Sequence, residues 1–505
     1  MVSANAVVAS QAHVLLVDLN NFARYPTVGV GYLAAILRQA NARVSVFSPL
    51  MCGVTGVARE PRAKPWGLID QRLRYWSALS TSPLVKRVRA KLATRHGPAL
   101  ARETERVAVE FERQLRRDVP QVVLISTYLM YKPLCERMAA ICRAMDVPVL
   151  IGGPYFAQKE IADDWVGIEG VAGIVGGEVE QQLPEITRLL RERQPIAHFP
   201  GIWTRNCNGA KGTTAPPLTQ LDAIPFPDYS DFPWDRYPNR IVPLITGRGC
   251  GWGACTFCSD VTSTIGRTFR SRSAANVLAE IETQSRRYGA KFFAFTDLKL
   301  NSNLDVWHGL LDGFQQTAPG AQWIAAVHIG ARQPNGLSTD ELRRARAAGM
   351  VRLTTGLESG SQRVLDRMAK GTTLDASTCV LRDAKAADIS VRTTMIVGYP
   401  GEEPADVLAS AIYLEEHSDC IERVSLNRFQ IMSGTRFEHS LARSPQQFPG
   451  VTQVTVNHRI AQVDHHYVPT ETRAWRKALA RLLSAVHRIN RRELGDAARQ
   501  FEGVM

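Results

Sequence analysis

The chain has 505 residues, a formal net charge of +13, 45% hydrophobic and 22% charged side chains. That length leaves room for several domains with sizeable cores, and the balance is that of an ordinary globular protein. No apolar run of about 18 residues occurs, and residues 1–12 lack the basic-then-apolar plan of a signal peptide, so neither a membrane partner nor a leader is expected. The basic residues crowd into 62–117 and 473–499, as solvated helix faces do, and no nucleic-acid partner is expected. The nine cysteines are mostly scattered, which suits a reducing cytoplasm.

An N-terminal α/β domain is expected over 10–195. His13–Asp18 reads as a buried parallel strand, followed by a turn-rich loop with Pro26, Gly29 and Gly31, a helix, and a second strand over Arg43–Phe47. A basic, helix-prone insertion over about 51–119 carries Trp66, Tyr75 and Trp76, and is too long for an ordinary connection. The alternation resumes with strand Gln121–Ser126, then Pro148–Pro154 running into Gly152 and Gly153, then Ile174–Glu178 with Gly176 and Gly177. In open parallel sheets ligands bind where strands end and such loops begin, so this is a Rossmann-like cofactor-binding domain.

Prolines 216, 217, 225, 227, 233 and 238 break both helix and strand, so 196–240 reads as a stiff linker, with Cys207 an incidental thiol. Six strand–helix units follow over 241–440. Their strands are Ile241–Thr246, Phe292–Asp297, Trp323–Ile329, Val351–Glu358, Ser390–Val397 and Val424–Ile431. Six units fit a partial (β/α)6 barrel of TIM type, with active residues at the strand C-termini. The first strand runs into Gly249–Asp260, which holds Cys250, Cys255 and Cys258. Structural zinc normally takes four ligands arriving as two pairs, and no second pair follows. Three thiolates on one short loop suit an iron–sulfur cluster with one iron left open. His328 reads as a structural histidine. Over 441–505 a helical region is expected, with an amphipathic basic helix over Thr472–Arg492. Asp464-His465-His466 is a weak metal cue, because adjacent side chains diverge.

The C-x-W-G-x-C-x-F-C loop resembles the cluster loop of the radical S-adenosylmethionine (SAM) superfamily, in a variant spacing frequent among members with an N-terminal cobalamin-binding domain. The commoner CxxxCxxC is not kept here. Gly356-Leu357-Glu358-Ser359-Gly360-Ser361 and Ile396-Val397-Gly398-Tyr399-Pro400-Gly401-Glu402 resemble the family's fourth- and fifth-strand signatures. The resemblance implies that Cys250, Cys255 and Cys258 hold a 4Fe-4S cluster whose fourth iron binds SAM. It implies SAM contacts at Glu358, Thr296, Asp297, Val397 and Gly398. Arg392, on the same strand, either points into the barrel toward the SAM carboxylate or the substrate, or is held in a structural ion pair. Pro26, Gly29 and Gly31, with Ser126, Thr127, Gly152, Gly153, Pro154, Gly176, Gly177 and Glu178, resemble the cobalamin-binding loops, although the DxHxxG motif that supplies a lower cobalt ligand is absent.

The function so implied is that of a cobalamin-dependent radical SAM methyltransferase. Such an enzyme generates a 5′-deoxyadenosyl radical and passes a methyl group from methylcobalamin to an unactivated carbon of a natural-product intermediate or peptide. An external flavodoxin- or ferredoxin-like electron donor would be its partner. Cyclisation or rearrangement without net methyl transfer, and a non-catalytic cobalamin or metal sensor, are the alternatives.

Overall fold

The computed structural model describes residues 11–20, 24–54, 76, 79–80, 83–205, 215–259, 269–331 and 334–504. Trp66, Tyr75, Cys207 and Asp260 lie outside them. The chain divides into two compact units, 1–56 with 99–236 and 57–98 with 237–505. Among the described residues no helix is long and apolar enough to cross a membrane.

The first unit is built on β1 (His13–Asp18), β2 (Arg43–Phe47), β3 (Val122–Ser126), β4 (Val149–Gly152) and β5 (Val171–Val175). They form a parallel sheet in the order β2-β1-β3-β4-β5. Every residue of β1 is buried, as a central strand covered on both faces requires. The chain steps from β1 outward to β2 and then back across to β3. This reversal opens a crevice beyond the C-terminal ends of β1 and β3, the usual ligand position in doubly wound sheets.

Two expectations are corrected here. The insertion is shorter than 51–119, because helix Pro83–Asp118 leads directly into β3. Its Val107, Phe111 and Leu115, four residues apart, are buried, with Phe111 edge-on to Phe47 at 5.5 Å. Of the aromatics read into that insertion, Trp76 is described and is 51% exposed. Nor is 196–240 a bare linker. β6 (Ile202–Trp203) adds antiparallel to β5, and Tyr229 and Phe232 are buried in the same unit. These apolar side chains give the segment a surface to bury despite its prolines.

The second unit holds β7 (Ile241–Leu244), β8 (Gly247–Arg248), β9 (Arg270–Ser271), β10 (Phe292–Phe295), β11 (Gln322–Val327), β12 (Met350–Glu358), β13 (Ser390–Val397) and β14 (Arg423–Arg428). β7, β10, β11, β12, β13 and β14 pair in that order, all parallel, giving the expected six-stranded partial barrel. Its core includes Phe295, Trp307, Phe314 and Trp323, whose rings meet at 5.3–6.1 Å.

Residues 494–504 close the N-terminal end of this barrel. Arg352, at the start of β12 and 2% exposed, donates to the carbonyls of Ala498 (3.1 Å) and Phe501 (2.9 Å). Phe501 packs edge-on against Phe292 at the start of β10. Helix Arg473–Asn490 is present with Trp475, Leu479, Leu482 and Val486 buried. Ahead of it stands a hairpin absent from the wholly helical expectation: β16 (Val451–Asn457) and β17 (Gln462–Tyr467), with β17 also pairing to β15 (Ile431–Met432).

Candidate active site

The cysteine loop leaves β7 at the C-terminal end of the barrel and turns through Gly249 and Gly253, both at positive φ. Cys250, Cys255 and Cys258 are partly exposed free thiols. Among the described residues no three His, Cys, Asp or Glu side chains are grouped to hold a single metal ion. A four-iron cluster takes each thiolate on a different iron, so its ligands need not converge on one point.

The loop is fastened to residues 368–371, which follow helix Gln362–Arg367. The Thr256 amide donates to the Met368 carbonyl at 3.0 Å and the Trp252 indole to the Ala369 carbonyl at 3.0 Å. The Thr256 hydroxyl meets the Tyr399 hydroxyl at 2.8 Å. A Cβ on Gly371, whose φ is +69°, would lie 2.2 Å from the Trp252 ring, so the indole occupies the space that the missing side chain leaves. Trp252 also stacks on His328 at 5.7 Å and 24°.

Behind the cysteines lies a buried ion pair. Glu358 ends β12 at a register shift, with φ +60°. Such a left-handed backbone costs a non-glycine residue about 1–3 kcal/mol and gathers at functional sites. Its Oε1 is 3.0 Å from Lys370 Nζ, and its Oε2 accepts from Thr394 Oγ1 at 3.3 Å. Burial alone would lower the Lys370 pKa; the Glu358 carboxylate and the Cys255 and Cys258 sulfurs outweigh it and hold the ammonium charged. Burial pushes the Cys255 thiol up, with Lys370 opposing. The His328 Nε2 lies 2.8 Å from the Lys370 carbonyl, which can only accept, so Nε2 carries the proton. Burial, with Lys370 nearby, lowers this imidazole to about 4, so it stays neutral. Among the described residues its Nδ1 is buried with no partner. Lys370-Gly371 stands in the sequence as the tail of the fourth-strand signature, but neither a role for Lys370 nor the open His328 nitrogen could be read there. They belong to separate βα loops, and the one available signal was the Lys370-Gly371 pair beside the fourth-strand motif.

The other expected SAM contacts divide. Asp297 is buried, and its carboxylate is engaged by the Thr246 amide (2.9 Å), the Thr246 hydroxyl (2.8 Å) and the Gly247 amide (3.0 Å). Burial nonetheless raises it to about 6. It therefore pins the root of the cysteine loop. The Thr296 hydroxyl is turned to the Leu244 carbonyl at 3.1 Å. Gly398, at φ +82°, donates to the buried Glu402. Val397 is fully buried on the strand face opposite Thr394, which leaves its backbone to meet a ligand. Arg392 is corrected. It shares the Thr394 face, but lies roughly 16 Å before the end of β13 by strand rise. Its guanidinium reaches the Val504 carbonyl at 3.3 Å, in the closed end of the barrel.

In the first unit, Ser126, Thr127, Gly152, Gly153, Pro154, Gly176, Gly177 and Glu178 all gather at the ends of β3, β4 and β5. Gly153 approaches the Thr127 carbonyl, Gly176 the Phe156 carbonyl and Gly177 Ala215. Glu178 accepts from the Leu218 amide at 2.7 Å. The Thr127 hydroxyl instead points inward, where it accepts from Cys135 at 3.5 Å. Pro26 is buried and Gly29 exposed, with open space beside it. Gly31 is corrected: a Cβ there would meet Tyr229 at 2.5 Å, and its carbonyl accepts from the Asp228 amide, so it is a packing glycine. At the end of β1, Asp18 is buried, accepts from Thr27 at 2.9 Å, and is raised by burial to about 6.

Residues 244–414 match the family model of the radical SAM superfamily. Barrel, cysteine loop and match together show that residues 244–414 are similar to the radical SAM superfamily. The chain's fold is shared with TsrM from Kitasatospora setae, a radical SAM methyltransferase solved with cobalamin and a [4Fe-4S] cluster: TM-score 0.63, 15% identity, 97% of this chain and 92% of that one. It is also shared with OxsB, a cobalamin-dependent SAM radical enzyme solved with aqua-cobalamin and SAM: TM-score 0.65, 16% identity, 93% and 66%. In sequence the chain is similar to an uncharacterised methyltransferase of Pyrococcus horikoshii, 26% identical over 52% of this chain and 57% of that protein. It also matches the anaerobic magnesium-protoporphyrin IX monomethyl ester cyclase of Rubrivivax gelatinosus, 24% identical over 55% and 50%. The chain thus spans about half the length of these curated relatives.

Proposed function

We propose that the protein is a cobalamin-dependent radical SAM methyltransferase acting on an unactivated carbon of a small natural-product intermediate or a peptide. The observation that carries this is a loop of three free thiols at the mouth of a six-stranded parallel barrel, backed by the Glu358–Lys370 pair. Cys250, Cys255 and Cys258 would hold the cluster, and the donor set fits: soft sulfur ligands, free of disulfides, on a loop pinned at both ends. Cluster, SAM and cobalamin supply the radical and methyl-transfer chemistry that acid–base side chains cannot. The protein's own groups orient and exclude water. Glu358 offers carboxylate oxygens to ligand hydroxyls. Neutral His328 offers an acceptor at Nδ1. Gly398 and Val397 present backbone at the strand ends.

The crevice at the ends of β1, β3 and β4 would take cobalamin, with the Gly152-Gly153-Pro154 and Gly176-Gly177 turns, packed tightly on the protein's own backbone, shaping its wall. No histidine on the described β1–α loop is available as a lower cobalt ligand. An external electron donor is part of the same proposal. Ring formation is the second reading, favoured by the similarity to the cyclase of Rubrivivax gelatinosus. Incubation of the reduced, reconstituted protein with methyl-deuterated SAM and candidate substrates separates the two. A deuteromethylated product is expected; 5′-deoxyadenosine with an unmethylated, hydrogen-depleted product supports the cyclase reading. In Cys255→Ala, SAM cleavage should disappear, and retained cleavage would sink the cluster assignment.

A further inference from the structure

We propose that Ser410, on helix Pro404–Glu416, is a positioning residue: its hydroxyl holds the turn that aims the Glu358 carboxylate at SAM. This rests on the reading that Glu358 meets SAM. Glu358 is the apex of a three-residue turn, because the Ser359 amide donates back to the Leu357 carbonyl at 2.8 Å while Glu358 holds φ +60°. With positive φ at the apex, such a turn is the rare, strained kind. Strain of this sort lasts only where the surroundings fix it. On the strand side, the Leu357 amide donates to the Thr393 hydroxyl at 3.2 Å. On the far side, the turn is fastened to helix Pro404–Glu416. The Gly360 amide donates to Ser410 Oγ at 2.8 Å, and the Ser359 and Ser410 hydroxyls meet at 3.2 Å. The Ser361 hydroxyl donates to Asp406, one helical turn before Ser410, at 2.6 Å.

Ser410 thus serves the two residues directly after Glu358, and the Ser359 oxygen that it meets also accepts from the Ser361 amide at 3.1 Å. Glu358, Ser359 and Ser410 are all buried. The turn lies directly on the helix backbone: a Cβ on Gly360 would stand 2.6 Å from the Ser410 Cα and 2.8 Å from the Ala409 carbonyl oxygen. Packing at position 410 asks only for a small side chain, which alanine would supply. The hydroxyl answers the backbone of the turn, and without it the Gly360 amide is left buried with no acceptor. The turn then relaxes toward ordinary extended backbone. Its apex carboxylate swings away from Lys370 at 3.0 Å and Thr394 at 3.3 Å, which brace it in the folded site. A carboxylate so displaced no longer offers its oxygens to ligand hydroxyls at the strand end.

The test is a double-mutant cycle on SAM affinity, read by equilibrium dialysis of SAM against the reconstituted full chain with its cluster oxidised, so that no cleavage occurs. Wild type, Ser410→Ala, Glu358→Ala and the double variant are compared per loaded cluster, with iron content measured first. Ser410→Ala should weaken SAM binding about tenfold or more when Glu358 is present, and by less than about twofold when Glu358 is already alanine. Unchanged affinity in Ser410→Ala would overturn the proposal. An equal loss in both backgrounds would overturn it too, and leave a serine that only stabilises the fold. Should Ser410→Ala fail to fold, Ser410→Cys, of similar size but a weak acceptor, takes its place in the same cycle with the same outcomes. Glu358→Ala binding SAM as tightly as wild type removes the reading of Glu358 itself, and the proposal with it, and is recognised before Ser410 is considered.

Discussion

Gly371→Ala should detach the cysteine loop without unfolding the barrel. The new Cβ would sit 2.2, 2.5 and 2.7 Å from three atoms of the Trp252 ring, and the residue would have to hold φ near +69°. The left-handed backbone costs an L-residue about 1–2 kcal/mol. Forcing a methyl into a filled site adds about 1–3 kcal/mol. Moving the indole aside breaks its 3.0 Å bond to the Ala369 carbonyl, worth about 1 kcal/mol. Since these terms overlap, about 2–5 kcal/mol is expected. At 1.4 kcal/mol per factor of ten, the docked loop loses ~30-fold or more in population. Iron retained after anaerobic reconstitution and desalting reads this directly, with circular dichroism as the check on the fold. Iron should fall well below wild type while the dichroism is unchanged. Trp252→Phe keeps an aromatic ring but gives up the indole bond and part of the ring that fills the space beside Gly371, so its iron loading should fall, though less than that of Gly371→Ala. Full iron loading in Gly371→Ala would refute the idea that Trp252 clamps the loop.

Three further outcomes are expected. Arg352→Ala leaves the Ala498 and Phe501 carbonyls without their buried charged donor, costing about 3 kcal/mol; the melting temperature should drop by several degrees with iron loading preserved. An unchanged melting temperature would contradict closure of the barrel by residues 494–504. Asp18 is raised from the usual 3.8 to about 6, so between those values the folded chain holds a proton that the unfolded chain has released. Stability from this group therefore falls as pH rises through that window, by up to about 3 kcal/mol. Asp18→Asn should remove that fall, and parallel melting-temperature profiles for the two proteins between pH 4 and 7 would count against it. Gly31→Ala should lower thermal stability through its contact with Tyr229 while cobalamin binding, measured by absorbance after gel filtration, is kept.

The barrel was legible because its strands are short apolar runs between helix-forming segments; Ser390–Val397 was placed residue for residue. The cysteine loop was legible because its chemistry is local. What escaped was tertiary. The period of two puts Arg392 on the inward face, but cannot say that residues 494–504 fill that end of the barrel. A glycine before a helix can serve a ligand or a close neighbour, and only the position of Tyr229 decides for Gly31. Thr296 and Asp297 were placed at the right strand end, yet their hydrogen bonds turn them toward the loop root. The 451–467 hairpin has exposed valines and half-buried histidines, so neither strand shows a clean apolar alternation. Lys370 and His328 come together only because two βα loops meet at Trp252.

The most direct test of the central claim is the iron, cobalt and cobalamin content of wild type and Cys255→Ala after anaerobic purification from cells supplied with cobalamin. About four irons and one cobalamin per wild-type chain, with iron lost and cobalamin kept in Cys255→Ala, are predicted. Zinc in place of iron, or iron that survives the substitution, would contradict the account, and four irons without cobalamin would remove methyl transfer from it.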